Sequence, residues 1–590
     1  MEKIVTHPLT VSGIFSNFYT VPDYQREYVW GEREVTQLLT DIFDELDERS
    51  DAEYFIGTIV VCPGDEGRLD VIDGQQRITT LFLTISAFRN LLAQQNEDTT
   101  DLRGMLFSRQ RDTHGQSRDS YRLSLQYEET SGVLEGICGD APLPQDLRAS
   151  GKRIADAYAF AKQFLEQNCR GDKDALKRFL GFLLNNVKII QIQTPRISEA
   201  LKIFETINER GVGLNPMDLL KNLLFRSIRP AEFKALKRVW KDMTKTLERE
   251  DLKPLRFLRY FIMANYRVKN AKGEPLIRED EIYEWFTKEE NVQQTGYQED
   301  AMGFAKILQV NAEAYTNFFS GKNAHGDDDI ALENIKLLSG ASSFQLILFL
   351  AARSMDRELF THFTKQIEVL LFYFIITRTQ SKEYERIFAT WAEEIRSIKN
   401  KDDLNAFLQT RVEPVVDKAR KNFDHDFGQI ALGPMQKYRI HYVLAKLTSF
   451  VDQQVLGNED EQPLDAYYRR GIQIEHILPD TPKEERRVQF GADIYDDYKI
   501  KLGNLTLFER PMNIVASNGP FSAKREKYRQ SVFHLTKSIA ETMQVGTRTS
   551  ADRIYSQLKS FEQWDRNSIE QRQTMLKMLG DQIWKVSAME

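Results

Sequence analysis

The feature that most limits the fold is a long helical middle between two regions of mixed pattern. From about residue 150 to 450, apolar segments of helical length, such as 255–268 and 344–352, alternate with polar loops, and no internal repeat is evident. Strand-like segments occur before and after this stretch. The chain has 590 residues, which is more than one hydrophobic core supports and favours roughly three or four units. The sequence therefore predicts an α+β N-terminal region, an all-α middle and a mixed C-terminal region.

Composition narrows the classes of function. Hydrophobic residues (41%) and charged residues (28%) occur in the proportions of a globular protein rather than a disordered chain. The formal net charge is -7, so the molecule as a whole is not a basic nucleic-acid binder, and any DNA contact needs local basic patches. Cys62, Cys138 and Cys169 lack CxxC spacing, which disfavours a disulfide framework or a zinc site and favours a reducing compartment.

No segment predicts secretion or membrane insertion. The N-terminus has no basic region followed by an apolar stretch. The most apolar run, 367–377, is interrupted by Glu368 and is too short to cross a bilayer, so it predicts a buried helix. We therefore expect a cytoplasmic protein without membrane contact.

The N-terminal region predicts a hairpin, a tight turn and a helix. Residues 54–61 and 69–72 are short runs rich in β-branched and aromatic residues, and a loop of Pro, Gly and Asp separates them. After Gly74, apolar residues recur at spacings of three and four, which predicts an amphipathic helix. Another helix is predicted from Val35 to Leu46.

The turn between strand and helix, VIDGQQRITT at 71–80, places several donors at a helix N-terminus. Such a terminus can hold a phosphate through backbone N–H groups and the helix dipole. The segment is not a Walker motif, because GxxxxGK[ST] does not occur near it. Upstream, Arg26 lies among three aromatic residues before the helix that starts near Val35. On these residues alone, a plain turn with a surface Arg26 competes with nucleotide binding.

The residues that most clearly suggest a catalytic site lie in the C-terminal region. Strands are predicted at 472–478 and 502–508, followed by a polar stretch and a helix near 522–540. A metal-dependent nuclease needs an imidazole that takes a proton from water and oxygen ligands that hold a divalent ion. His476 follows Glu475 at the end of an apolar strand, and Asn504 and Asn513 come later. Taken singly, these are ordinary surface and turn residues, and only their conjunction favours an active site.

The whole set resembles the motif of the GmrD-type nuclease domain, a branch of the HNH (His-Me finger) superfamily. The matching elements are Glu475-His476-Ile477-x-Pro479, Leu502 to Leu507 (LGNLTL), Asn513, and Phe521-Ser522-x-Lys524 with Tyr528. The resemblance implies a ββα-metal finger in which His476 is the general base. It also implies that Glu475 and Asn513 hold Mg²⁺ or Mn²⁺, the ions that oxygen ligands suit.

Two further roles follow from the same resemblance. Asn504 is expected to brace the finger and orient His476 rather than contact the ion. Lys524, Arg525 and Lys527 form a basic cluster on the following predicted helix, for which phosphate contact and a solvated face are both open readings.

The N-terminal motifs resemble the GmrS-type domain, which is related to the ParB/sulfiredoxin fold. They are QRxYxW at 25–30, FxGxI at 55–59, IDGQQRxTT at 72–80, FETxNxRG at 204–211 and DLLKN at 218–222. The resemblance implies that the domain binds, and usually hydrolyses, a nucleoside triphosphate (GTP or ATP). The residues implied in this binding are Asp73, Gly74, Gln75, Gln76, Arg77 and Thr79, with Arg26, Asn208 and Arg210 as further site residues.

Together the two domains resemble GmrSD-type modification-dependent (type IV) restriction enzymes. The resemblance implies a nucleotide-regulated, metal-dependent endonuclease that cuts modified phage DNA. The expected domains are a sensor at 1–225, a helical connecting domain at 226–432, and a nuclease domain at 433–590. The connecting domain is expected to join the other two and to offer a surface for homodimerisation or for DNA. Two alternatives stay open: a nucleotide-gated, ParB-like DNA-binding clamp without cleavage, and an RNA-cutting nuclease. The intact set of Glu475, His476 and Asn513 argues against the clamp, because pure binding does not need it.

Overall fold

The chain forms two compact units. The computed structural model describes residues 4–22, 25, 27–48, 52–111, 117–126, 132–138, 146–147, 149–196, 199–200, 203, 216–270, 272–340, 343–458, 461–516, 518–542 and 550–589. One unit comprises Met1–Arg238 with Gly296–Gly303, and the other comprises Val239–Thr295 with Phe304–Glu590. The division into three domains at 225 and 432 stays a prediction.

A mixed six-stranded sheet organises the N-terminal unit, with strand order β1-β8-β3-β4-β2-β7. Its strands are β1 (Val5–Thr10), β2 (Tyr19–Val21), β3 (Tyr54–Pro63), β4 (Leu69–Asp73), β7 (Leu123–Leu125) and β8 (Val187–Gln193). Strands β5 (Phe107–Arg111) and β6 (Ser117–Tyr121) form a separate antiparallel pair. The predicted hairpin is confirmed, because β3 and β4 pair antiparallel with Val61 opposite Val71.

Most helices of this unit contribute residues to one core that also includes the sheet. They are Val11–Ile14, Glu32–Glu48, Gln75–Gln94, Thr100–Leu106, Val133–Cys138, Ala149–Cys169, Lys173–Asn185 and Pro216–Ser227. The helix predicted after Gly74 is confirmed, but it is buried on nearly every face rather than amphipathic. Its small polar residues allow this burial, because Thr80, Thr84 and Ser86 donate their hydroxyl hydrogens to backbone carbonyls one turn earlier.

Strand β8 corrects the prediction that the chain is helical from about residue 150 onward. It is the second strand of the sheet, between β1 and β3, antiparallel to β1 and parallel to β3. Its sequence, VKIIQIQ, alternates in burial as a strand does, but seven residues between long helical segments are a weak local signal. The pairing partners that stabilise β8 are more than a hundred residues earlier in the chain.

Helices dominate the second unit up to residue 456, as the sequence predicts. Phe233–Arg249 includes residues of both units, and so does Ala301–Phe319 in the following list. The others are Pro254–Asn265, Ile282–Thr287, Glu289–Thr295, Ala301–Phe319, Ile330–Ser339, Leu346–Ala352, Arg357–Ile376, Ser381–Ser397, Lys401–Phe407, Glu413–Arg420, Phe423–Gly428 and Lys437–Leu456. Helix Arg357–Ile376 is long and apolar enough to span a membrane, but 78% of its most apolar window is buried inside the protein. It is the buried helix predicted at 367–377.

The remaining part of this unit holds a small antiparallel pair, β9 (Ile472–His476) and β10 (Leu505–Glu509), with His476 opposite Leu505. Helix Arg510–Ala516 follows β10 directly, which gives the predicted order of strand, strand and helix. The other helices are Glu484–Phe490, Tyr495–Lys499, Phe521–Tyr528, His534–Ala540, Ser550–Tyr555 and Arg566–Ile583.

Two boundaries differ from the predictions for this region. The strand predicted at 502–508 starts with a 3₁₀ turn, Leu502–Asn504. The single helix predicted near 522–540 is two helices, Phe521–Tyr528 and His534–Ala540, with a break between them. The break occurs where the Ser531 hydroxyl and the Val532 N–H donate to the Glu509 carboxylate instead of continuing the helix.

Candidate active site

His476 ends strand β9 and lines a cavity of about 210 Å³. The cavity is lined by Gln473, Glu475, His476, Pro479, Asp480, Asn513, Ile514, Asn518 and Lys524. Among the described residues, none hydrogen-bonds to the His476 ring. Burial lowers the pKa of the imidazole, Asp480 acts to raise it, and Lys524 acts to lower it. The ring is therefore neutral near pH 7 and can accept a proton.

Glu475 is buried at 5% exposure beside this cavity. Its Oε1 accepts hydrogen bonds from Lys524 Nζ at 2.6 Å and from the Tyr528 hydroxyl at 3.0 Å. Burial raises the pKa of the carboxyl, and the Lys524 ammonium acts in the opposite direction. Both of these side chains bind the same oxygen, and a backbone hydrogen bond from His476 also acts on the carboxyl.

Lys524 is a brace rather than part of an exposed basic cluster. It is only 1% exposed, and its ammonium also donates to the His476 carbonyl oxygen at 2.6 Å. Neighbouring Arg525 pairs with Glu562, with Nη2 to Oε1 at 2.7 Å. The structure thus corrects the reading of Lys524 as part of a solvated face, because its charge holds Glu475 and the backbone of His476. A catalytic role of Lys524, which also lines the cavity, stays a prediction.

Asn504 is fully buried and fixes the segment after His476. Its Oδ1 accepts from the Leu478 N–H at 2.6 Å and from Trp564 Nε1 at 2.9 Å. Its Nδ2 donates to the carbonyl oxygens of Leu478 at 3.0 Å and Lys499 at 2.8 Å. A side chain that is buried and bonded in this way does not reach an ion in the cavity. Its orienting effect on His476 stays a prediction.

Asn513 lies on helix Arg510–Ala516 and lines the same cavity as His476. Its Nδ2 donates to Gln473 Oε1 at 3.4 Å, so its Oδ1 is the atom that can serve as a ligand. The described residues contain no group of three or more His, Cys, Asp or Glu side chains that could hold a metal ion. Mg²⁺ often uses only one or two carboxylates and completes its shell with waters and substrate phosphate. The oxygens of Glu475 and Asn513 suit such an ion better than zinc, whose structural sites are built mainly from Cys and His.

Sequence reasoning gave no role to three residues that support this site. Trp564 bonds to Asn504, and Asp480 acts on the pKa of His476. Arg572 is fully buried and donates through Nη1 to the carbonyl oxygens of Gly503 at 2.9 Å and Leu505 at 2.7 Å. Trp564 and Arg572 lie beyond the motif, and no spacing rule connects them to it.

The second candidate site lies at the junction of β4 and helix Gln75–Gln94. Asp73 ends the strand, and Gly74 follows with a left-handed φ of +84°. A Cβ at Gly74 would lie 2.6 Å from Ile59 Cγ2, so both conformation and space require glycine there. This turn places the first backbone N–H groups of the helix next to the end of the strand.

The motif side chains after Gly74 mostly hold the fold together. Gln76 Oε1 accepts from the backbone N–H groups of Val29 at 2.8 Å and Trp30 at 3.3 Å, and its Nε2 donates to the Glu27 carbonyl at 3.1 Å. Gln75 and Thr79 are buried as well. These contacts make Gln76 a structural link between the helix and residues 27–30.

Arg77 is partly engaged in the same way. Its Nη1 donates to the Thr58 carbonyl oxygen at 2.7 Å. The guanidinium packs closely on Gly57, because a Cβ at Gly57 would lie only 3.1 Å from it. Burial lowers the pKa of the group, and Asp73 acts to raise it. The other residues predicted for this site, Arg26, Asn208 and Arg210, lie outside the described residues.

Comparison with protein families gives two matches in the expected order. The model of the GmrSD restriction endonuclease N-terminal domain matches residues 10–225. The model of the GmrSD restriction endonuclease C-terminal domain matches residues 417–578. No curated relative matches the chain. The two family matches together cover more than half of the sequence and include both candidate sites. The chain therefore belongs to the GmrSD family of restriction endonucleases.

Proposed function

We propose that the cavity at His476 is the phosphodiesterase centre of this endonuclease, of the HNH type, and that His476 is its general base. The observation that carries the proposal is a neutral imidazole facing a cavity, without a hydrogen-bond partner among the described residues, beside the oxygens of Glu475 and Asn513. An imidazole nitrogen of His476 takes the proton of the attacking water. Bound Mg²⁺ or Mn²⁺, held by Glu475 and Asn513, would act as a Lewis acid at the scissile phosphate.

The buried residues keep this arrangement still. Lys524 holds one oxygen of Glu475 and the carbonyl of His476, so the carboxylate and the base keep a fixed separation. Asn504 anchors Leu478, two residues after the base. Catalytic groups lose effectiveness when they move by about an ångström, so such bracing supports turnover.

For the N-terminal domain we propose nucleotide binding, of GTP or ATP, at the turn from Asp73 to Arg77, and through it control of cutting. The turn at Gly74 begins a long helix, at whose N-terminus backbone N–H groups and the helix dipole favour phosphate. Because Gln76 is committed to residues 27–30, phosphate contacts are expected from the backbone and from Arg77. The substrate proposed for the whole chain is modified phage DNA.

The test is cleavage by the full chain on modified phage DNA, unmodified DNA and RNA, with and without GTP or ATP. We expect DNA to be cut with Mg²⁺ or Mn²⁺, with much less cutting in Zn²⁺ and none in EDTA. Full cutting in EDTA would contradict the metal, and cutting of RNA alone would favour an RNA nuclease. DNA binding without any cleavage would favour the clamp. Calorimetry that detects no nucleotide binding would contradict the sensor.

A further inference from the structure

A second cavity adjoins the one that contains His476. It has a volume of about 380 Å³, and Pro479 lines both cavities. We call it the aromatic cleft, and its defining residues are Leu478, Pro479, Gln489, Phe490, Phe521 and Trp564. Ile477 and Leu478, which follow the base directly, also line it, so a ligand in the cleft lies next to whatever occupies the His476 cavity.

The aromatic wall of the cleft is held in place. Trp564 donates its indole N–H to Asn504 Oδ1 at 2.9 Å, the same amide that anchors Leu478. Its ring stacks on Phe521, with centroids 5.2 Å apart and planes 28° apart, and meets Phe561 edge-on at 5.2 Å. Phe490 packs edge-on against Tyr495. Fixed aromatic rings around an open space suit a flat, apolar-faced ligand.

The polar edge of the cleft argues against phosphate and for a base. The carboxylates of Glu562 and Asp565 line this edge, where Glu562 pairs with Arg525 and Asp565 caps the following helix. Arg486, the one cation among the described residues that line the cleft, already donates to the Asn518 and Gly519 carbonyls, which disfavours a phosphodiester. Each carboxylate keeps lone pairs that can accept hydrogen bonds from exocyclic amino groups of bases. The exposed Gln489 amide can both donate and accept.

We propose that the aromatic cleft takes a nucleobase displaced from the duplex beside the scissile phosphate, with preference for an amino-bearing base, cytosine or adenine. The C-terminal domain then reads a base itself, in addition to any recognition by the N-terminal domain. Enzymes that extrude a base stack it between aromatic or apolar side chains and read its polar edge, which is what this cleft offers. The inference rests on the proposed function of the His476 cavity.

The test uses synthetic duplexes built around a mapped cleavage position. Single abasic sites are placed in turn at each nucleotide near the cut, and the rate of cleavage is measured. At one position beside the cut we expect roughly a tenfold gain, because no base has to be unpaired there. Gln489→Trp fills the cleft, so it should cut the paired duplex roughly tenfold more slowly yet match the wild type on that abasic duplex.

Gln530→Trp is the matched control, since Gln530 is an exposed glutamine of the same domain outside both cavities, and it should behave as wild type on both duplexes. Equal rates for Gln489→Trp and wild type on both duplexes, or an equal loss on both, would overturn the cleft proposal. Thermal melting of each variant checks that it is folded.

A binding measurement separates this inference from the proposed function. His476→Ala should still bind DNA, and 2-aminopurine at the sensitive position should change its fluorescence on binding, whereas 2-aminopurine three positions away should not. If the wild type cuts DNA at a rate that does not depend on the position of the abasic site, and if 2-aminopurine fluorescence does not change on binding, the cleft proposal alone is overturned. Wild type that fails to cut any DNA contradicts the proposed function instead.

Discussion

The two candidate sites use their motif residues in different ways. In the C-terminal domain, His476 faces a cavity while Asn504 and Lys524 are buried and fully engaged. In the N-terminal domain, the described motif side chains, such as Gln76, bind backbone groups of their own fold. A residue that performs chemistry must stay open to substrate, whereas a residue that holds a turn must find its partners inside the protein. A motif match identifies both kinds together, and only the contacts separate them.

The largest expected effect on DNA cleavage is that of replacing His476, the motif residue that faces the cavity. His476→Ala should lower supercoiled-plasmid nicking by about 10²–10⁴-fold, the usual contribution of a general base. DNA binding and the melting temperature should stay near wild type, because no described residue hydrogen-bonds to this ring. His7→Ala, at an exposed histidine of β1, is the control and should cut normally. Undiminished nicking by His476→Ala would remove the cavity from consideration as the active site.

The next largest expected effect is on stability, and it comes from replacing Lys524 in the same domain. Lys524→Ala leaves the buried Glu475 carboxylate without its cation, which should cost about 3–5 kcal/mol of unfolding free energy as well as activity. Urea unfolding followed by tryptophan fluorescence measures it. Lys527→Ala, on the same helix but without a buried ion pair among the described residues, should leave stability unchanged and only weaken the salt dependence of DNA binding. If both variants unfold like wild type, Lys524 is not a brace.

A smaller effect is expected for the brace in the N-terminal domain. Gln76→Ala leaves the N–H groups of Val29 and Trp30 and the carbonyl of Glu27 without this partner, which should cost about 1–3 kcal/mol. Differential scanning calorimetry should show a lower transition for this variant, with nicking by the C-terminal domain retained at low temperature. Gln37→Ala, at an exposed helical glutamine of the same unit, should melt like wild type. A Gln76 variant of unchanged stability would mean that this side chain is free for a ligand.

The sequence predicted the local order of elements at both sites because short-range signals are strong there. Glycine at 74 marks the change from strand to helix, and its φ of +84° confirms the turn. The alternation of apolar residues around His476 and Leu505 predicted two strands, and they pair. Strand β8 was missed because its stability depends on partners that are distant in the chain.

The chemistry of single residues was harder to predict. The segment around Lys524 is rich in charge and polar residues, which is the pattern of a solvated helix face. Its burial follows only from the position of Glu475 on β9, almost fifty residues earlier. Trp564 lies beyond the motif, and Phe490 lies between two of its elements. Their grouping around a cleft depends on tertiary packing that periodicity does not encode.

The smallest expected effect is on the pH dependence of cleavage, and it tests the charges that act on His476. A general base must be neutral, so nicking should fall as the pH drops through the pKa of His476, which burial places below its ordinary value. The Asp480 carboxylate acts to raise that pKa. Asp480→Asn should therefore move the acid limb of the kcat/KM profile to lower pH, and only slightly, because solvent screens the charge at this exposed position.

Asp496→Asn is the matched control for this shift. Both carboxylates bind Lys499 at 3.1 Å, but only Asp480 lines the cavity with His476. Loss of the Lys499 contact alone should therefore leave the acid limb where it is in wild type. An acid limb that moves to higher pH in Asp480→Asn, or equally in both variants, would mean that the titrating group is not His476. In that case the general base of the C-terminal site would have to be sought among the other side chains that line the cavity.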